Sequence, residues 1–177
     1  MKKHLSIILG LVLLVAFTNV NAQSKFTLNV GPELALPMGS FGDVAGFGFG
    51  GSVGGELGLA ENMKGFATVG YLMFGEKDVA GLGKWSYSAI PILVGAKYYL
   101  GKGGFYTMAE TGFHLWTVES TITFFGVSTT VDASSTEFTY GVGAGYEFGA
   151  FDVNAKYIGA GSGISYIGVR VAYNFAL

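Results

Sequence analysis

His114 and Glu110 are the pair of residues in this chain best placed to do chemistry. They are four positions apart, so an extended strand would put both on the same face. A histidine backed by an acid and facing a serine is the arrangement used in nucleophilic acyl transfer. Ser86 and Ser88, on a preceding segment, are the candidate serines. The rest of the pattern does not follow. No G-x-S-x-G elbow is present, and the surroundings of His114 read as a packed interior position. A single histidine among scattered carboxylates has no metal-ligand spacing. Asp43, Glu76, Asp78 and Asp132 read as solvated acids in loops. Gly46-Phe-Gly-Phe-Gly-Gly51 resembles a phosphate loop only in its glycines, because no G-K-[ST] ending follows. No catalytic residue, metal or cofactor is therefore expected.

The remaining ionisable groups form a second constellation: Glu33, Glu56, Lys97, Glu110, His114, Glu147, Asp152, Lys156 and Arg170. Each alternates with apolar neighbours, so each is expected on the wet face of a strand. The two-residue turn Gly149-Ala150 sets Glu147 across from Asp152. Two such acids repel unless a cation lies between them. Arg170, on the next strand, is the expected cation. The set reads as an ion-pair network filling a narrow interior rather than as a proton or ion path, because an eight-stranded barrel is just wide enough for side chains to fill.

The elements that must position these groups are strands. Ile167, Val169, Val171, Tyr173 and Phe175 alternate with Gly168, Arg170, Ala172 and Asn174, giving one greasy face and one wet face. Seven earlier stretches behave alike: Lys25–Leu36, Phe47–Ala60, Gly65–Phe74, Trp85–Leu100, Phe105–Val118, Thr136–Phe148 and Phe151–Gly159. The facing of Gly65–Phe74 is open, since Phe66, Leu72 and Phe74 oppose Ala67, Val69, Tyr71 and Met73 almost equally. Connections at Ala60–Lys64, Gly101–Gly104 and Gly149–Ala150 are short. Those at Pro37–Gly46, Gly75–Lys84 and Glu119–Ser135 are longer, and the last is expected to extend its flanking strands as a hairpin. Trp85, Tyr98, Tyr99, Tyr146, Tyr173 and Phe175 lie near strand ends, where interfacial girdles form.

Composition sets the compartment. Lys2 and Lys3, the apolar run Leu5–Phe17 and the small residues Val20-Asn21-Ala22 are expected to form a secretory signal peptide over residues 1–22, leaving one domain over 23–177. The chain carries a formal charge of −2, and loss of the two lysines makes it −4, so nucleic acid is not an expected partner. Cysteine is absent, so neither disulfides nor thiolates hold the fold. Half the residues are hydrophobic, yet no mature apolar run is long enough for a spanning helix. Only a closed barrel then crosses a membrane with its backbone satisfied. The 30 glycines, interleaved with Phe, Tyr and Val, suit bends and a narrow interior rather than disorder.

With eight strands in place, the chain resembles the small outer-membrane β-barrel family of Gram-negative bacteria, the OmpX-like and OmpA-transmembrane-domain-like group. The resemblance spans the mature chain. It is carried by Gly31-Pro-Glu-Leu-Ala-Leu-Pro37, Ile90-Pro-Ile-Leu-Val-Gly-Ala-Lys-Tyr-Tyr99, Gly141-Val-Gly-Ala-Gly-Tyr-Glu-Phe148 and Gly168-Val-Arg-Val-Ala-Tyr-Asn-Phe175. The family's terminal signal usually ends on an aromatic, whereas here Ala176 and Leu177 follow Phe175. The resemblance implies an all-β, eight-stranded, antiparallel up-and-down transmembrane β-barrel. Both termini would be periplasmic and the longer loops extracellular, with outer-membrane lipids, lipopolysaccharide and the insertion machinery as partners. The expected role is structural or surface-interacting, without catalysis. The alternatives are a narrow channel for protons or small ions, a lipid A-modifying enzyme using His114, and a soluble lipocalin-like binder with apolar residues inside.

Overall fold

The computed structural model describes residues 26–79, 83–101, 103–124, 127–161 and 163–176. The leader expected over residues 1–22 and the terminal Leu177 lie outside them. Eight strands run in chain order: β1 Phe26–Met38, β2 Gly48–Ala60, β3 Met63–Val79, β4 Gly83–Tyr99, β5 Phe105–Phe124, β6 Val127–Phe148, β7 Phe151–Ala160 and β8 Ile164–Ala176. A six-residue helix, α1 (Gly39–Val44), follows β1. Every strand pairs antiparallel with its chain neighbours, and β8 returns to β1 from Thr27↔Ala176 to Met38↔Ser165, closing the barrel. Closure removes the open edges along the barrel wall.

The start of β1, the end of β8 and the tight turns share one end. These turns are Glu61–Asn62, the link from Leu100 to Gly104, and Gly149–Ala150. Gly149 sits at φ +59°, the left-handed conformation that a two-residue hairpin turn requires. The opposite end carries α1 and the long hairpins. Two connections expected as loops carry regular structure, one strand and one helix. β3 runs on to Val79 and β4 begins at Gly83, pairing Lys77↔Trp85 and Val79↔Gly83 beyond a bulge. Between Pro37 and Gly46 the chain forms α1 instead of an open loop. The β5–β6 extension occurs as expected, with register continuous from Phe105↔Tyr146 to Phe124↔Val127.

Side-chain direction follows alternation. Phe26, Leu28, Val30, Leu34 and Leu36 on β1, and Val169, Val171, Tyr173 and Phe175 on β8, are exposed on the outer wall. Ile167 lies in the same row, half-buried. On β3 the wall takes Val69, Tyr71 and Met73, while Phe66, Leu72 and Phe74 turn inward and are buried. The inward choice there is decided by what the lumen needs, since large rings fill it. Pro91 sits inward on β4, and the recorded β3–β4 pairs pass from Val69↔Ile92 to Leu72↔Ala89 without it, consistent with its missing N–H. Inward glycines leave room for large neighbours. A Cβ at Gly141 would come within 2.5 Å of Ile158 Cδ1 and 3.0 Å of Glu110 Oε1.

Candidate functional site

The lumen is built in layers. Nearest the tight turns is a cluster of three acids and two lysines. The two-residue turn does put Glu147 opposite Asp152. Glu56 joins them from β2, and one oxygen from each of the three lies within 4.8 Å of the others. Such a trio could hold a metal, but the ammonium of Lys97 lies among them. Lys97 Nζ donates to Glu56 Oε1 at 2.6 Å, to Glu147 Oε1 at 3.1 Å and to Asp152 Oδ2. Three ammonium protons thus meet three carboxylates. Lys64, nearer the mouth, bonds Glu147 Oε2 at 2.8 Å and lies 3.6 Å from Glu56 Oε2. Two tyrosines complete the layer. Tyr99 OH donates to Glu147 Oε1 at 2.6 Å and Tyr106 OH to Asp152 Oδ1 at 2.7 Å. The Lys97 ammonium also lies 4.6 Å from the Tyr106 ring centroid, a cation–π contact.

The expected pairing of Arg170 with Glu147 and Asp152 is not what the structure holds. Arg170 is opposite Asn154 on β7 and Glu33 on β1, two positions before Ala172 on β8, which faces Asp152. Its Nε donates to Ser52 Oγ at 2.7 Å and its Nη2 to Asn29 Oδ1 at 2.7 Å. Among the described residues it forms no ion pair. The physical reason is the closed geometry. A lumen side chain reaches across the barrel as readily as to the neighbouring strand, and Lys97 on β4 arrives from the far wall.

A middle layer joins Lys156 to Glu33 and Glu110, each at 3.1 Å. Ser52 Oγ lies 3.5 Å from Glu33 Oε2, and Asn29 links Arg170 to Glu56 through its own Nδ2 at 3.1 Å. Glu33, Glu56, Lys97, Glu110, Asp152, Lys156 and Arg170 are all buried, and Glu147 is nearly so, with its side chain 15% exposed.

His114 belongs to neither charged layer. It is fully buried, with Nδ1 2.8 Å from Thr139 Oγ1 and Nε2 2.9 Å from Tyr166 OH. Thr139 Oγ1 lies 3.4 Å from the Glu137 carbonyl, to which it donates. Donation from His114 Nδ1–H to Thr139 and from Tyr166 O–H to Nε2 then satisfies all three groups, which makes a neutral imidazole the fitting state. Register places His114 opposite Pro91, and alternation around buried Ala89 turns Ser86 and Ser88 to the other face of β4. The Ser–His constellation is not assembled.

At the hairpin end the lumen is apolar, not charged. Phe41 of α1 inserts into the mouth and packs edge-on against Phe74, Tyr87 and Trp116, with ring centroids 5.2–5.5 Å apart. Leu72, Ala89, Ile158 and Tyr166 extend this cluster, and His114 stacks on Trp116.

Lys64, Tyr99, Tyr106, Tyr166 and Phe41 also line the lumen, outside the set that the sequence predicts. Tyr99 does not stand in the outer girdle expected of it: it shares the parity of Lys97 and turns inward to Glu147. The same extrapolation from Met108 and Gly168 reaches Tyr106 and Tyr166. Phe41 has no strand parity to reveal it. Of the expected girdle, Tyr98, Tyr146, Tyr173 and Phe175 are on the outer wall. Rings from Tyr146 through Phe148, Phe151 and Tyr173 to Phe175 make successive contacts of 4.8–6.3 Å around the turn end.

No protein-family model and no curated protein sequence matches the chain. Solved structures do match in shape. Ail, the attachment invasion locus protein of Yersinia pestis, in complex with the heparin analogue sucrose octasulfate, gives a TM-score of 0.60 at 12% identity over 86% of this chain and 99% of that one. The N-terminal β-barrel domain of Pseudomonas aeruginosa OprF gives 0.58 at 16% identity, over 86% and 100%. Neisserial surface protein A gives 0.51 at 12% identity, over 86% and 97%. At such identities the likeness is one of fold: this chain is a closed eight-stranded antiparallel barrel sharing the architecture of these proteins, the OmpX-like and OmpA-transmembrane-domain-like fold that its sequence resembles.

Proposed function

We propose that this chain is an integral outer-membrane β-barrel of a Gram-negative bacterium, with a structural or surface-interacting role and no catalysis. The observation that carries this is the inversion of the barrel. Its outer wall is a continuous belt of Val, Leu, Ile, Phe and Tyr, while its interior buries Lys, Arg, Glu and Asp. A lipocalin-like binder in water needs the opposite arrangement. On β5 and β6 the apolar outer row runs from Phe105 to Leu115 and from Phe138 to Phe148. That length suits the roughly 9–11 residues a tilted strand needs to cross hydrocarbon. The ring series at the turn end marks one interface. Solved relatives in fold include the outer membrane protein Ail in a phospholipid bilayer.

Residues 1–22 then act as the export signal, and both termini stay periplasmic. Outer-membrane lipids and lipopolysaccharide contact the belt, and the insertion machinery handles the nascent barrel. The β5–β6 hairpin stands outside the cell as the surface-interacting part. Above the belt, Val131 to Thr136 are exposed on both faces. His114, enclosed and bonded on both nitrogens, has no route to a lipid substrate on the outer wall.

Membrane fractionation tests the reading. The protein should stay with outer membranes after an alkaline wash, need detergent for release, and shift its gel mobility on boiling. Release by the wash alone would overturn it.

A further inference from the structure

Among the described residues, the ionic layer at the turn end does not balance. Glu56, Glu147 and Asp152 carry three negative charges against the two positive charges of Lys64 and Lys97. The middle layer does balance, with Glu33 and Glu110 against Lys156 and Arg170. The shortfall shows at Glu56. Its Oε1 accepts from Asn29 and Lys97, whereas its Oε2 is buried and accepts no hydrogen bond. The Lys64 ammonium is 3.6 Å from that oxygen, beyond hydrogen-bond reach, and bonds Glu147 Oε2 at 2.8 Å instead. A buried carboxylate oxygen without a donor is costly.

Lys64 is the replaceable member of the layer. It stands directly opposite Lys97 across the β3–β4 ladder, where like charges repel. Its side chain is 31% exposed at the mouth, against 4% for Lys97. A Cβ at Gly58, facing Lys64 from β2, would meet nothing within 4 Å beyond its chain neighbours, so space lies open there. The flexible four-carbon stem lets the ammonium turn out into water. We propose that this mouth of the lumen binds a divalent hard cation of the calcium type between Glu56 Oε2 and Glu147 Oε2, in exchange for the Lys64 ammonium. Lys97 keeps its place among the three acids. Charge selects the ion. With Lys64 turned out, three carboxylates and Lys97 sum to −2 (−3 + 1), which one divalent ion cancels and a monovalent ion does not. Carboxylate oxygens and water are calcium's ordinary ligands, and its loose geometry suits two fixed oxygens completed by water from the open mouth. The site is internal to the barrel and does not depend on what surrounds the outer wall.

Tyr99 supplies the readout. Its hydroxyl bonds Glu147 Oε1 at 2.6 Å, and its ring centroid lies 5.1 Å from the Lys64 ammonium. Terbium, a luminescent stand-in for calcium, should therefore emit at this site on tyrosine excitation. Titrated into the detergent-purified full barrel, terbium should give saturable emission. Calcium chloride should displace it, and sodium chloride of equal ionic strength should not. Lys64→Met removes the competing ammonium and should tighten calcium binding by about tenfold or more. Glu147→Gln removes a charged ligand and should weaken it by about tenfold or more. The boiling-dependent gel shift reports whether each variant is folded, and Lys64→Met decides the matter where Glu147→Gln is not. Joint replacement of Glu119→Gln and Asp132→Asn, at the opposite end of the barrel, should leave the emission unchanged. Absence of emission from both wild type and Lys64→Met would overturn the site, as would equal calcium affinity in the two. Displacement by sodium chloride as effective as by calcium chloride would reduce it to charge screening. Loss of emission in the Glu119 and Asp132 double variant would mark an adventitious ion only, held by surface acids.

Discussion

At the residue scale, the ionic centre of this molecule is Lys97. It holds three carboxylates that would otherwise stand within 4.8 Å of one another. Removing one partner of a buried charge group leaves the rest uncompensated and costs about 3–5 kcal/mol. Lys97→Met should therefore lower the unfolding free energy by that order in urea titrations of the folded barrel. Arg170→Met should cost less, about 1–3 kcal/mol, because it strands the neutral groups of Ser52 and Asn29 rather than acids. An equal or reversed ranking of the two variants would contradict the layer assignment. On the outer wall, Val171 lies mid-row between Ile167 and Phe175, 42% exposed. Val171→Arg should cost about 2–4 kcal/mol if the belt sits in lipid. The same titration reads this variant, and a neutral effect would argue against a hydrocarbon environment.

At the element scale, α1 acts as a stopper. A six-residue helix without a side-chain N-cap has little stability of its own. It is held by Phe41, which is 3% exposed amid the rings of Phe74, Tyr87 and Trp116. Truncating a buried Phe costs about 3–5 kcal/mol where the site cannot collapse. At this rim, where water can replace the ring, Phe41→Ala should fall at about 3 kcal/mol or below. The measurable sign is loosening of α1: backbone amide exchange should accelerate from Gly39 to Ala45 while exchange in β5 and β6 stays slow. Uniform acceleration through the barrel would mean that Phe41 supports the whole fold instead.

At the scale of the whole molecule, the lumen is closed twice. Lys97, Glu56, Glu147 and Asp152 bridge it toward the turn end, and the Phe41 cluster seals it toward the hairpins. An ion entering from either end meets either a bonded ionic layer or packed rings. Planar bilayers containing the protein should show no steady single-channel conductance. Steps that persist in the wild type would favour the channel alternative, and in that case Lys97→Met and Phe41→Ala should each change their size.

Much of this molecule was legible in the sequence, because a strand's side-chain period is two and a barrel has only an inside and an outside. That period alone separates Val169, Val171 and Tyr173 from Arg170, and Tyr140 and Val142 from Gly141. The two-residue turn likewise fixes Glu147 against Asp152, a purely local relation. Alternation fails where both faces carry bulk, as on β3, and where no strand exists, as at Phe41. It also says which side chains enter the lumen without saying which of them meet. Arg170 was the neighbour in sequence order, yet Lys97 reaches the acids from across the barrel. Only closure and stagger bring β2, β4, β6 and β7 to one point, and those are properties of the assembled tertiary structure rather than of any strand in it.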